Sequence, residues 1–120
     1  MSADEACELL SVDVEKAEAL RRDLPSIDAL DAVVAAAKAL SDPSRLRLAV
    51  ALRDGGEMCV CDLSWVSERQ DKIVSHHLRQ LRVAGIARSR KDGRMVLYSL
   101  TERGRVLLAA VIGDPSIAVA

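Results

Sequence analysis

At 120 residues the chain is long enough for one compact domain and too short for two. Half of its residues are apolar, 29% are charged and only 2% are aromatic. These figures argue against a disordered tail and an aromatic platform for single-stranded nucleic acid, and no uncharged stretch approaches the roughly 18 apolar residues of a membrane span. The net charge of −1 averages an acidic front, nine acids and three bases in residues 1–31, with eight bases and two acids in residues 69–94. Such asymmetry fits a polyanionic partner, or equally a solvated basic face.

The spacing of Val14, Ala17 and Leu20 predicts a short helix from Val12 to Asp23, interrupted by Pro25 and Ser26. Ile27 to Leu40 reads as a second helix, with Leu30, Val33, Val34 and Ala37 at helical spacing. Ser41-Asp42-Pro43 gives a capping residue and a Pro at the first helical position, opening a third helix that Gly55-Gly56 ends. Asp62 to Val66 is a brief helix with Leu63 and Val66 inward, followed by a tight connection without Gly at Ser67 to Gln70. Gln70 to Val83 is a strong helix closed by Gly85. From Ile86 to Leu100 the period changes to that of a β-hairpin turning at Asp92-Gly93. Thr101 to Ile112 returns to helix. This order, three helices, a short helix–turn–helix, a hairpin and a last helix, is that of a winged helix-turn-helix fold, mainly α with a β-hairpin wing.

On a helical wheel, Val74, Leu78 and Leu81 fall in one narrow sector, the buried stripe of the strong helix. Lys72, His76 and Arg79 lie opposite, with Ser75 at the flank and Gln70 at the helix start. All are suited to phosphates or base edges of double-stranded DNA. Arg88, Arg90, Lys91 and Arg94 place further charge on the hairpin, where a wing meets the backbone beside the groove. The alternative is a basic surface helix with incidental histidines. His76 and His77 point about 100° apart and make a poor chelate, and His77 reads as a packed, hydrogen-bonded residue.

Cys59-Val60-Cys61 stands just after the Gly55-Gly56 break. Residues two apart diverge on a regular helix, so one ion can hold both thiols only if the pair straddles a loop–helix junction. Cys61 then lies near the positive helix end, which favours the thiolate that soft metals bind. Two buried structural cysteines are the alternative. Asp4 and Glu5 stand where a secretory signal would be basic, so a cytoplasmic setting and free thiols are expected.

Cys59-Val60-Cys61-Asp62-Leu63, Ser75-His76-His77-Leu78-Arg79, Leu81-Arg82 and Leu97-Tyr98-Ser99-Leu100 together resemble the ArsR/SmtB family of metal-responsive repressors, over about residues 30–112. The resemblance implies a homodimer built on the first and last helices that leaves its operator DNA when metal binds. It also implies the ligands. The family's arsenic sensors carry a third Cys where Ser64 stands here. Its cadmium/lead sensors draw two Cys, four apart, from the N-terminal arm, where this chain has Cys7 and Ser11. At the family's zinc site on the last helix, Glu102 can stand for an acidic ligand but Gly104 replaces a His. The set that remains is Cys7, Cys59 and Cys61, closest to the cadmium/lead form. Three sulfurs suit Cd(II), Pb(II) or a trivalent arsenic-type ion better than Zn(II), and the likeness to the cadmium/lead form makes Cd(II) or Pb(II) the expected inducer, with As(III) or Zn(II) less favoured.

The reading is therefore a metal-sensing repressor whose partners are operator DNA and a second copy, with no membrane and no small-molecule substrate. A thiol-based redox regulator without metal is the alternative. No nucleophile, base and orienting group come together, which argues against an enzyme. Residues 1–24 are expected as an arm and first helix, 25–112 as the winged helix-turn-helix domain with its terminal dimerisation helix, and 113–120 as a flexible tail.

Overall fold

The computed structural model describes residues 11–113, which separate into two units between Leu30 and Asp31. The first unit holds helix α1, Val14–Asp23, opened by the Asp13 carboxylate accepting from the Lys16 backbone N–H at 2.7 Å. α1 buries no residue, and Val14, Leu20 and the following Leu24 and Ile27 are all exposed. A single 3₁₀ turn, Asp28–Leu30, ends this unit. The one helix expected from Ile27 to Leu40 is thus split, because Ser26 accepts from the Ala29 N–H and tightens the chain locally.

The second unit begins with α2, Asp31–Leu40, and α3, Pro43–Gly55. Between them the Asp42 carboxylate accepts from the Arg45 N–H at 3.0 Å, and the Arg45 side chain turns back to the carbonyls of Ala39 and Lys38. One residue pair therefore caps the end of α2 and the start of α3. Gly56, at φ 76°, takes the chain out of α3. α2 buries Ala36, Ala39 and Leu40 instead of the stripe through Val33, Val34 and Ala37, which is exposed. In so Ala-rich a helix several faces are apolar, and periodicity does not say which one the core covers.

A strand absent from the sequence reading follows: β1, Met58–Cys59. Then come α4, Val60–Ser67, and α5, Asp71–Val83, the helix-turn-helix pair. α4 starts two residues earlier than expected. It buries Leu63, Ser64 and Ser67, which leaves Val66 52% exposed on its flank. The turn between the helices is made by Glu68 in the left-handed region, φ 58° and ψ 41°. Glycine usually takes that conformation, which costs other residues about 1–2 kcal/mol. β2, Ala87–Asp92, and β3, Met95–Leu100, form the wing. Asp92 pairs with Met95, so the two-residue loop is Gly93-Arg94, one position later than expected, with Gly93 at φ 64°. α6, Glu102–Ile112, ends the described chain.

The three strands are antiparallel in the order β1-β3-β2, with Met58 opposite Tyr98, Cys59 opposite Leu97 and Arg90 opposite Leu97. Under the sheet, Leu48, Ala49 and Leu52 of α3 meet Leu63, Val74, Leu78, Leu81, Ile86, Tyr98, Leu100 and Leu108 in one aliphatic core. Each fully buried Leu contributes about 1.5–3 kcal/mol. The predicted stripe of α5 is the face that enters this core. Helix order and core together make a winged helix-turn-helix.

Candidate DNA interface and thiol site

Burying Val74, Leu78 and Leu81 turns the opposite face of α5 outward. Lys72, His76 and Arg79 are exposed there and Ser75 is half-buried. Gln70 is the N-cap residue of α5, exposed, with a side chain that makes no capping hydrogen bond. His77 is half-buried beside them. Its Nδ1 is buried with no hydrogen-bond partner among the described residues, so it is packed but not hydrogen-bonded at that atom as the sequence suggested. Loss of water holds its pKa below the usual histidine value, against the pull of Asp42.

On the wing, Arg88, Arg90, Lys91 and Arg94 are all exposed. Strand alternation puts Arg88 and Arg90 on one face of β2 and Lys91 on the other. Arg90 has a partner that sequence reasoning missed. Its Nε and Nη2 donate to both carboxylate oxygens of Glu57, at 2.7 and 2.6 Å. The pair lowers the Glu57 pKa, chiefly through the side-chain hydrogen bonds. Nothing in the local sequence signals a contact between residues 33 positions apart.

The cysteines sit where β1 becomes α4. Cys59 is the last residue of β1 and the N-cap of α4, and Cys61 is one residue inside the helix. This strand–helix junction lets two residues of a Cys-x-Cys face each other, and their Sγ atoms lie 2.9 Å apart. Both thiols are free; Cys59 is buried and Cys61 exposed. The Asp62 carboxylate accepts from the Cys59 backbone N–H at 3.3 Å. Cys59, Cys61 and Asp62 thereby bring three ligand atoms within 4.8 Å of one another. Sequence reasoning missed Asp62, which it takes only as the first residue of the short helix; the structure places it at the third position of α4.

The Cys59 thiol pKa is raised: the Cys61 sulfur raises it most, the Asp62 backbone N–H works against this, and the Asp62 carboxylate adds to the rise. The same crowding of donors suits a cation. Two soft sulfurs and a hard carboxylate can hold a thiophilic divalent ion, whose charge displaces the thiol protons. Two thiolates on one tetrahedral zinc, at bonds of about 2.3 Å, stand about 3.8 Å apart. The sulfurs must therefore part by roughly 1 Å to share such an ion. Cys7 lies outside the described residues, as does the chain beyond Gly113.

A cavity of about 290 Å³ opens on the pair, lined by Cys59, Val60, Cys61, Asp71, Arg94, Met95 and Val96. Asp71 belongs to the first turn of α5, and Arg94 and Met95 to the wing. The thiols thus face both elements that carry the basic residues. The zinc position on the last helix is a different matter. Gly104 is buried against Ile86 and leaves no room for a side chain.

Comparison with known proteins agrees with this architecture. Residues 42–89 match the profile described as "Bacterial regulatory protein, arsR family". The chain is 40% identical over 96 residues to a cadmium resistance transcriptional regulatory protein CadC homolog of Staphylococcus aureus, covering 80% of this chain and 78% of that one. It is 35% identical over 108 residues to a transcriptional repressor SmtB homolog of Synechocystis, covering 90% and 81%. Among solved structures, a homodimeric winged helix-turn-helix DNA-binding domain of Mycobacterium bovis superimposes with a TM-score of 0.65 at 24% identity, over 86% of each chain. No helix among the described residues is long and apolar enough to cross a membrane. Fold, helix-turn-helix motif and relatives converge: the chain belongs to the arsR family of bacterial regulatory proteins, which are DNA-binding transcriptional regulators and not enzymes.

Proposed function

We propose that this chain is a metal-responsive repressor that binds operator DNA as a homodimer and releases it when a soft ion binds its thiols. The observation that carries the reading is the 2.9 Å approach of the Cys59 and Cys61 sulfurs, with Asp62 beside them, at the start of the helix-turn-helix. Metal supplies a cation that binds thiolates and releases their protons. The chain supplies two sulfurs fixed at a strand–helix junction, a carboxylate, and Cys7 as a third sulfur from the arm. Cd(II) or Pb(II) is the favoured inducer, in keeping with the cadmium-resistance relative. As(III) and Zn(II) are second choices. A protein working through reduced thiols belongs in the cytoplasm.

α5 enters the major groove in this reading, offering Gln70, Lys72, Ser75, His76 and Arg79, while Arg88, Arg90, Lys91 and Arg94 of the wing meet phosphates. The exposed apolar side chains of α1 (Val14, Leu20) and α6 (Val106, Val111) support dimerisation through these helices. Titration of the reduced protein with cadmium, following thiolate-to-metal absorption and operator release together, tests the whole. Absorption without release, or release without absorption, would sink it. A redox regulator is the second reading, favoured by how near the two free sulfurs stand. Operator release under peroxide, with disulfide formation and indifference to cadmium, would select it.

A further inference from the structure

The ion pair between Glu57 and Arg90 joins the residue before β1, the strand that ends in Cys59, to the strand that carries the wing's charge. Glu57 precedes Cys59 by two residues, and Arg90 lies near the tip of β2. The backbone connects the same points. Leu97 of β3 is the Cα partner of Cys59 on one side and of Arg90 on the other. Side chain and ladder thus run in parallel from thiol to wing. Glu57 is about one-third exposed and Arg90 a little over half, so the pair adds little to stability. Its bidentate geometry fixes direction instead.

We propose that Glu57 is the positioning residue that couples the thiol pair to the wing. It holds Arg90 against the sheet and passes displacement of β1 to β2. Cys59 is buried and pinned by its ladder to Leu97, while Cys61 is exposed on the first turn of α4. An ion that draws on the Cys59 sulfur pulls on β1 through its ladder to Leu97, and Glu57, the residue before that strand, is the side chain there which grips the wing. The guanidinium, which the proposed function gives to a DNA phosphate, then shifts with the sensor. This inference rests on the thiol-site reading above, and its test separates the two.

Operator affinity is measured with and without cadmium for the full chain and for Glu57→Gln, alongside the thiolate-to-cadmium absorption of each. A thermal melt checks that the variant is folded. Expected are unchanged absorption and a metal-dependent loss of operator affinity smaller than wild type by about two- to fivefold, the worth of an exposed ion pair. Glu57→Asp restores part of the response. The exchanged pair, Glu57→Arg with Arg90→Glu, restores the ratio even where absolute affinity is lower. An unchanged ratio in Glu57→Gln overturns the proposal. So does a fall in its absorption, which would make Glu57 part of the metal site itself. Hydrogen exchange of the β2 and β3 amides in metal-free protein gives a readout without cadmium. Faster exchange in Glu57→Gln supports its grip on the wing, so a wild type that binds no cadmium overturns the thiol reading and not that grip. Identical exchange overturns it.

Discussion

Gly104 of α6 lies directly on the backbone carbonyl of Ile86, and a β-carbon at this position would overlap that oxygen and approach the Ile86 Cα to 3.2 Å. The contact clamps the last helix to the start of the wing. Thr101, the N-cap of α6, reinforces it: its hydroxyl accepts from the Gly104 N–H at 2.9 Å and lies 2.7 Å from the Gly85 carbonyl oxygen. Gly104→Ala should lower stability by about 1–3 kcal/mol, the usual penalty for overpacking, read from the midpoint of urea unfolding. Gly104→His should cost more and create no zinc site. A stable Gly104→His protein that gained zinc affinity would show that the helix can lift from Ile86.

The thiol site can be taken apart by ligand. Cys59→Ser and Cys61→Ser should each reduce thiolate-to-cadmium absorption and abolish cadmium-driven release, while the metal-free variants still bind operator. Asp62→Asn is more discriminating, because Asn caps a helix as well as Asp does. A carboxylate that completes or orients the site should cost about 10- to 100-fold in metal affinity when it is lost. Unchanged affinity would leave Asp62 a cap and nothing more. Cys7→Ser should weaken metal binding if the arm supplies the third sulfur, and full affinity with full release would remove the arm from the sensor.

On the DNA side, Lys91→Ala with Arg94→Ala should reduce the slope of log affinity against log salt by about one to two units. Arg90→Ala should change it less, since Glu57 already compensates that charge. Arg79→Ala should cost about 1–3 kcal/mol at the operator if it reads base edges, and much less on random DNA. Equal losses on both would demote Arg79 to a phosphate contact.

Acid should destabilise the fold in two stages. His77 has a folded pKa below its ordinary value of 6.5, because burial disfavours its charged form. Between that lowered value and about 6.5 the unfolded chain binds the extra proton, so stability rises with pH across this window. Asp42, held low mainly by the Arg45 N–H, and Glu57, held low by Arg90, contribute stability that is lost as pH falls below about 4. Urea midpoints measured from pH 7 to 5 should flatten in His77→Gln. An unaltered slope would assign that stage to another group.

What the sequence determined by itself was local. Asp42-Pro43 starts α3, Gly56 ends it, the Val74, Leu78, Leu81 stripe faces the core, and the Ile86–Leu100 run folds as a hairpin. Each follows from propensity, capping or periodicity within a dozen residues, so the winged helix-turn-helix and its basic outward face were legible. The Cys-x-Cys was legible as a candidate too, since only a junction could bring its sulfurs together. Tertiary structure decided the rest. Strand β1 is two residues long and exists because β3 offers it a free edge. Glu57 finds Arg90, and the thiols face Asp71 and Arg94, only once the sheet and α5 are assembled. Which face of α2 is covered, and that α4 turns Val66 outward, likewise depend on what packs against them. Periodicity records which faces of a helix are apolar; only the packed chain selects the one that loses its water.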